Sequence, residues 1–368
     1  MDPDRPLVPA SGRPAEGGSE PVISGALDRL TDLDKRIIVA LQRDGRASWR
    51  AIAEAVGGPV TTVSRRGQQL IADGVVRVAA VPALGADGPF DSFFVRINTA
   101  PGMQMRVAET LAQSREVRFC TVVTGSYDII AEVIVRGGAT RYPQHVAELQ
   151  LIEGVERWRS DLILHVYKVS FDWGRQLYGE LLGPPDTVED EAPPTHAACA
   201  PEHFDSADRA ILSALRADGR ETFQSIAERL GMNESSVRRR FERMRTTHCV
   251  DMLALVPSAA LGMAAETFMT VTVRPDRLDD VARELSAYPF VRYLAVLLDQ
   301  NALVCEVISP STAELYAFIT DSLAHLDGVQ GWTSSMELVF LKRGFIETPW
   351  WRSQLASALP DRGAIASA

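Results

Sequence analysis

The chain has 368 residues, enough for two to four domains with their own cores, and its net charge of −10 excludes a protein that coats nucleic acid along its whole surface. A local positive reading face is still compatible with that charge. The four cysteines (Cys120, Cys199, Cys249, Cys305) form no Cys-x-x-Cys pair, and no apolar run reaches the length of a membrane span or of a signal-peptide core, so a reducing cytoplasm with no membrane contact is expected.

Residues 1–29 are rich in Pro, Gly, Ser and charge and read as a disordered tail. A first helix starts at Thr31 or Asp32, carries Leu33, Ile37, Ile38 and Leu41 on one stripe, and ends at Asp44-Gly45-Arg46. A second helix buries Ile52, Ala53 and Val56. A third, from Pro59 to about Ala72, turns Val63 and Leu70 inward and Thr61, Thr62, Arg65 and Arg66 outward. Residues 75–78 read as the strand of a wing, which makes residues 30–82 a winged helix-turn-helix. Over residues 90–172 the pattern changes to strands at 92–97, 117–124, 127–135 and 155–169, with helices at 103–113 and 140–149. That βαββαβ order is a ferredoxin-like layer with both helices on one face and a second, apolar sheet face that needs a cover. Residues 180–203 are Pro-rich and acidic, a linker with an r.m.s. span of roughly 25 Å.

The second half repeats the first. A displacement of 174 residues sets Asp34 on Asp208, Asp44-Gly45-Arg46 on Asp218-Gly219-Arg220, Arg65-Arg66 on Arg239-Arg240, Glu132 on Glu306, and Lys168 on Lys342. Residues 204–257 and 265–346 are therefore a second winged helix-turn-helix and a second βαββαβ domain, followed by a C-terminal tail at 347–368. Within the second head Gly231 permits the turn, Asn233 is the expected N-cap, and Val237, Phe241 and Met244 face inward. Ser235 and Ser236 open the outer face, with Arg238, Arg239, Arg240 and Arg243 behind them. Hydroxyls followed by arginines suit base edges and phosphates, although an Arg-rich solvated face has the same composition. Trp158 and Trp332 are expected in the core, and Trp350-Trp351 is expected to dock a terminal helix.

This architecture resembles the Lrp/AsnC ("feast/famine") family of transcriptional regulators. Leu33-Asp34, the Gly-Arg after helix one, Val237-Arg238-Arg239-Arg240 and Thr124-Gly125-Ser126-Tyr127-Asp128 carry the resemblance. It implies an α+β fold, two copies of a winged helix-turn-helix followed by a ferredoxin-like βαββαβ (RAM) domain, with double-stranded DNA as partner. It also implies a small amino acid-like effector held by Thr124, Gly125, Ser126, Tyr127 and Asp128; without the family these residues read as a hairpin turn. The second half has Leu298, Asp299 and Ala302 where the first has Thr124, Gly125 and Asp128. Since the family works as dimers whose RAM sheets cover one another, the two RAM domains are expected to pair within one chain, and such pseudo-dimers to associate further into a homo-oligomer.

The two copies diverge elsewhere too. Pro59 replaces Asn233 and Gly67 replaces Phe241, a combination expected to weaken the first recognition helix by roughly 1–2 kcal/mol. Stronger DNA reading by the second half and one effector site in the first are the corresponding expectations. No catalytic residue, cofactor or metal site is expected. The six histidines (His145, His165, His196, His203, His248, His325) lack ligand spacing, and no nucleophile elbow or phosphate loop is present. The rival reading is an enzyme, since some proteins of this architecture are sirohaem decarboxylases that use His and Arg toward the tetrapyrrole carboxylates. Strands 91–97 and 267–273 carry no His, and arginines gather on the recognition helices, which favours the regulator.

Overall fold

Thr31 and Asp34 begin the first helix with a reciprocal cap. The Asp34 N–H donates to Thr31 Oγ1, and the Thr31 N–H donates to the Asp34 carboxylate at 2.8 Å. The computed structural model describes residues 27, 29–178, 199–299, 302–348 and 350–352; nearly all of the expected N-terminal tail, most of the linker and residues 353–368 lie outside them. Helices α1 (Asp32–Arg43), α2 (Trp49–Val56) and α3 (Val60–Ala72) build the first head. Their apolar faces meet around Ile37, Ile38, Leu41, Ile52 and Val63, and α6 (Trp173–Tyr178) adds Trp173 to the same core. The second head repeats this with α7 (Ser206–Ala217), α8 (Phe223–Leu230) and α9 (Glu234–Thr246) around Ile211, Leu215, Ile226, Val237 and Phe241.

Two expected weaknesses of the first head are not there. A Cβ on Gly67 would lie 2.2 Å from the Trp49 indole, so the space that Phe241 fills in the second head is filled here by Trp49. Phe223 stands at the equivalent place and packs against Phe241 with ring centroids 5.4 Å apart. One head pairs Trp with Gly and the other Phe with Phe, so a single large ring beside glycine stands where two rings meet in the other head. The capping contrast also disappears, because neither Pro59 nor Asn233 makes a side-chain cap bond.

The wing is a different structure from the one expected. Strand β1 (Arg77–Pro82) pairs antiparallel with β6 (Val250–Leu255) of the other half, Ala79 opposite Leu253. Those two positions are equivalent in the repeat, so a pseudo-twofold axis passes between them.

The ferredoxin-like order holds in both halves. The first has β2 (Phe90–Thr99), α4 (Gln104–Gln113), β3 (Val117–Val123), β4 (Ile129–Arg136), α5 (Tyr142–Leu151) and β5 (Val155–Val169). The second has β7 (Ala265–Val273), α10 (Leu278–Ser286), β8 (Val291–Leu297), β9 (Ala302–Ser309), α11 (Thr312–Ala317) and β10 (Val329–Arg343), with β11 (Ile346–Glu347) folding back. The 15-residue strands β5 and β10 each serve two sheets. Residues of β5 up to Leu162 pair with β2, and those from Ile163 onward pair with β8 of the other half. β10 likewise leaves β7 after Met336 and joins β3 from Glu337. The strands close into one ring, β10-β3-β4-β2-β5-β8-β9-β7, with β7 returning to β10. Closure covers the second apolar sheet face: Phe94, Phe119, Phe268 and Tyr293 meet in the lumen. Intrachain pairing of the two RAM domains is thus realised through shared strands. Trp350 and Trp351 are buried and Trp158 is half-buried as expected of a core residue, but Trp332 is 40% exposed. Among the described residues no helix is long and apolar enough to cross a membrane.

Candidate nucleic-acid interface and ligand cavity

Each recognition helix carries two adjacent arginines with opposite fates. Arg66 binds Asp34 of α1 in a two-point clasp, its Nε donating to Oδ1 at 2.8 Å and its Nη2 to Oδ2. Arg240 donates to Asp208 at 2.9 Å and to Asp205 at 2.7 Å, and Arg243 donates to Asp208 at 2.5 Å. Asp34 and Asp208 are fully buried, so these arginines neutralise charges that would otherwise be costly. Burial acts to raise the Asp34 pKa, but Arg66 and Thr31 outweigh it and hold the carboxyl below its usual value. Arg66 and Arg240, expected to face outward for DNA, are half-buried against these carboxylates, whereas Arg243 stays exposed while it pairs with Asp208. Arg238 is exposed but pairs with Glu234 at 2.6 Å. Arg65 and Arg239, equivalent in the repeat, are exposed and form no ion pair among the described residues. Thr61 and Ser235 are exposed beside them, and Thr62 and Ser236 are half-buried.

The two heads are fastened to each other reciprocally. Arg46 donates to the carbonyls of Gly219 and Glu221 at 2.5 and 3.1 Å, and Arg220 donates to those of Gly45 and Ala47 at 2.6 and 2.9 Å. The guanidiniums also lie over aromatic rings, Arg46 at 4.3 Å from Phe223 and Arg220 at 4.2 Å from Trp49. Gly219 is required because β1 passes so close: a Cβ there would meet the Val78 carbonyl carbon at 2.6 Å. Below, Lys168 Nζ donates to the Ser286 and Tyr288 carbonyls and Lys342 Nζ donates to that of Ser114, each long strand gripping the opposite half.

The Thr124–Asp128 segment is a turn on the seam between halves. Thr124 exchanges bonds with Met336, its N–H donating to the Met336 carbonyl at 2.9 Å while its Oγ1 accepts from the Met336 N–H at 3.0 Å. Gly125 has φ +97° and faces Ser335, and the Ser126 carbonyl accepts from Asn98. Tyr127 is half-buried near Arg96. One oxygen of Asp128 accepts from both the N–H and the hydroxyl of Thr99, so this carboxylate anchors its own turn. In the second copy, Leu298 makes the equivalent bond to Leu162 and Asp299 pairs with Arg159.

Two cavities lie elsewhere. The larger, about 530 Å³, sits where both heads meet the ring; Gln42 and Asp44 come from the first head, Arg245 and His248 from the end of α9, and Arg118 and Asp172 from below. Gln42 is buried, and its amide finds no hydrogen-bond partner among the described residues. The smaller, about 30 Å³, is in the lumen. Its charges are paired: Arg118 donates to Glu132 at 2.6 Å, Arg343 to Glu306 at 2.9 Å, and Arg292 bridges Glu306 and Glu266. Burial opposes ionisation of Glu306, yet Arg292 and Arg343 outweigh it and hold its pKa below the ordinary range. Glu337 is buried nearby with neither oxygen bonded among the described residues, and burial, with Glu306 and Glu266 close by, pushes its pKa well up.

An AsnC-type helix-turn-helix domain model matches residues 30–71 and 204–245, and an Lrp/AsnC ligand binding domain model matches residues 92–172 and 266–345. The chain belongs to the Lrp/AsnC family. It is a transcriptional regulator of the Lrp/AsnC type with its DNA-binding and ligand-binding domains both present twice. An uncharacterised helix-turn-helix-type transcriptional regulator of Pyrococcus furiosus is 31% identical over 150 residues, covering 39% of this chain and 96% of that protein. The regulator LrpA of Pyrococcus horikoshii is 28% identical over 127 residues, 34% of this chain and 90% of its own. Among solved structures, the sirohaem decarboxylase NirDL bound to an iron-uroporphyrin III analogue covers 90% of this chain and 100% of its own, with TM-score 0.55 and 15% identity. At that identity the likeness shows the fold alone. Within this Lrp/AsnC chain, the residues that sequence reasoning missed are Asp34, Asp208, Arg46 and Arg220. Their repetition in both copies was the available signal.

Proposed function

We propose that the chain acts as a single-polypeptide pseudo-dimer that sets two heads on one DNA site and adjusts them through a small polar effector. The observation that carries this is the reciprocal clasp of the two heads, with Arg65 and Arg239 left exposed at equivalent places. Arg65 with Thr61 and Thr62, and Arg239 with Ser235 and Ser236, contact the DNA, while Arg238 and Arg243 supply field from the second head. That additional charge supports stronger reading by the second head.

For the effector the large cavity is the better-supported place. It is of the size that holds small ligands, offers both charge signs, and touches the end of α9. A zwitterionic, amino acid-like molecule suits that lining. The Thr124–Asp128 turn supports the role less well because Asp128 is engaged by Thr99. Catalysis is not part of this reading: the lumen arginines are paired with glutamates, and its space of about 30 Å³ is far below the roughly 300 Å³ at which ligand pockets begin. Further association into a homo-oligomer is supported by Leu164 and Leu338, equivalent residues of β5 and β10 that are each 54% exposed.

The test is recovery of bound DNA from cells, followed by affinity for the recovered sites with and without candidate amino acids, in the wild type, His248→Ala and Asp128→Ala. Loss of the ligand response in His248→Ala but not in Asp128→Ala is expected. Conversion of added sirohaem to a decarboxylated product would overturn the regulator reading.

A further inference from the structure

Three of the ten cysteines and histidines, which show no ligand spacing in the sequence, come together in space. Cys199 enters the second head at the end of the linker, His203 ends the short turn Pro201–His203, and Cys249 follows α9. His203 Nδ1 lies 3.2 Å from Cys249 Sγ, although the residues are 46 positions apart. One donor atom from each of the three residues lies within 4.8 Å of the others, and Nδ1 also accepts from the Ala200 N–H at 3.3 Å. Tetrahedral zinc with Zn–S near 2.3 Å and Zn–N near 2.05 Å requires donor separations of about 3.5–3.8 Å, so small shifts, with Nδ1 and the Cys249 sulfur moving slightly apart, bring the three atoms onto one ion.

We propose that Cys199, His203 and Cys249 form a Cys2His site for a soft divalent cation, zinc by its donor set. The surroundings fit such a site. Both sulfurs are buried against apolar residues that include Ala80, Ala86 and Phe204, whereas His203 is exposed and gives the ion a way in from solvent. Uptake then breaks two S–H bonds, forms two metal–sulfur bonds and one metal–nitrogen bond, and releases two protons to water with no change of oxidation state. The carboxylates of Glu266, Glu306 and Glu337 also cluster, but Arg292 and Arg343 already balance their charge, so that cluster does not compete as a cation site.

Occupancy has a structural consequence. The Cys249 carbonyl accepts from the Ala83 N–H at 3.0 Å, next to the 3-10 turn Leu84–Asp87 of the first half. An ion at this place therefore ties the linker end, the end of the second recognition helix and the first half together. Cys249 lies between His248 and Val250, which both line the large cavity, so the metal site adjoins the proposed effector site.

The experiment uses the full chain, reduced and stripped of metal by a chelator, titrated with Co²⁺. One equivalent per chain, a near-ultraviolet thiolate-to-cobalt charge-transfer band, displacement by Zn²⁺ and release of two protons per ion are expected. His203→Ala should weaken uptake at least about tenfold, since even outer-shell partners are worth that much. Cys249→Ser should abolish the charge-transfer band, and Cys305→Ser, a buried thiol elsewhere, should change nothing. Because His203 is exposed, its variant keeps the fold, which far-ultraviolet circular dichroism checks directly. Absence of the band in the folded wild type, or the same affinity in His203→Ala, overturns the site.

Discussion

Arg66 and its neighbour Arg65 differ in what they hold, and substituting each with alanine separates stability from DNA binding. Arg66→Ala leaves the Asp34 carboxylate, fully buried, without its cation. Orphaning a buried charge costs about 3–5 kcal/mol, but the Arg66 side chain is 29% exposed, and water reaching the gap lowers this to about 2–3 kcal/mol. With a urea dependence of about 2 kcal/mol per molar, the midpoint of the first head falls by about 1 M. Adding Asp34→Asn to Arg66→Ala should recover much of that loss, because removing both charges is far cheaper than removing one. Arg65→Ala should leave the midpoint nearly unchanged, lower affinity for recovered DNA sites, and reduce the salt slope by about one. Urea unfolding followed by fluorescence, together with DNA titrations at several salt concentrations, reads both quantities. An Arg66→Ala protein with unchanged stability and an Arg65-like loss of salt slope would refute the assignment.

Gly67→Phe should destabilise the first head by about 1–3 kcal/mol through collision with Trp49, and Trp49→Phe in the same chain should restore most of it, which thermal unfolding measures. Gly219→Ala should loosen the clasp between heads by pressing a methyl group on the β1 backbone, seen as faster amide exchange at Val78 and Ala79. His145 is held neutral by burial, its pKa lowered to about 4 from about 6.5 when unfolded. Stability should therefore fall as pH drops from about 6.5 through 4, and His145→Gln should flatten that part of the profile. Glu337 shifts the opposite way: with its folded pKa raised, stability declines as pH rises above about 4.3, and Glu337→Gln should stabilise the chain at neutral pH.

The repeat, the order of elements and the inward faces of the helices were legible because they rest on local periodicity and on self-similarity at one displacement. An apolar sheet face in need of a cover was legible in the pattern, and the resemblance to the family implied that the RAM domains supply it to each other. What was not legible depends on contacts between elements distant in sequence. A helical wheel places Arg66 outside, and only the buried Asp34 on another helix turns it back. Gly67 reads as a helix defect until Trp49, at the start of α2, is seen to occupy its space. The strand read as a wing finds its partner in the other half, which no single-domain pattern encodes. Nothing in the Asp128 turn itself reveals the Thr99 donors on β2 that bind one of its carboxylate oxygens.

The central claim, that this one chain reads DNA with two linked heads, is tested most directly by its affinity for DNA recovered from cells against bulk DNA, measured across salt. Binding to the recovered sites should be at least about 10³-fold tighter than to bulk DNA and should fall with salt as several phosphate contacts require. Arg65→Ala and Arg239→Ala should each reduce that slope by about one, with the larger loss of affinity from Arg239→Ala. Equal affinity for recovered and bulk DNA, with no effect of either substitution, would contradict it.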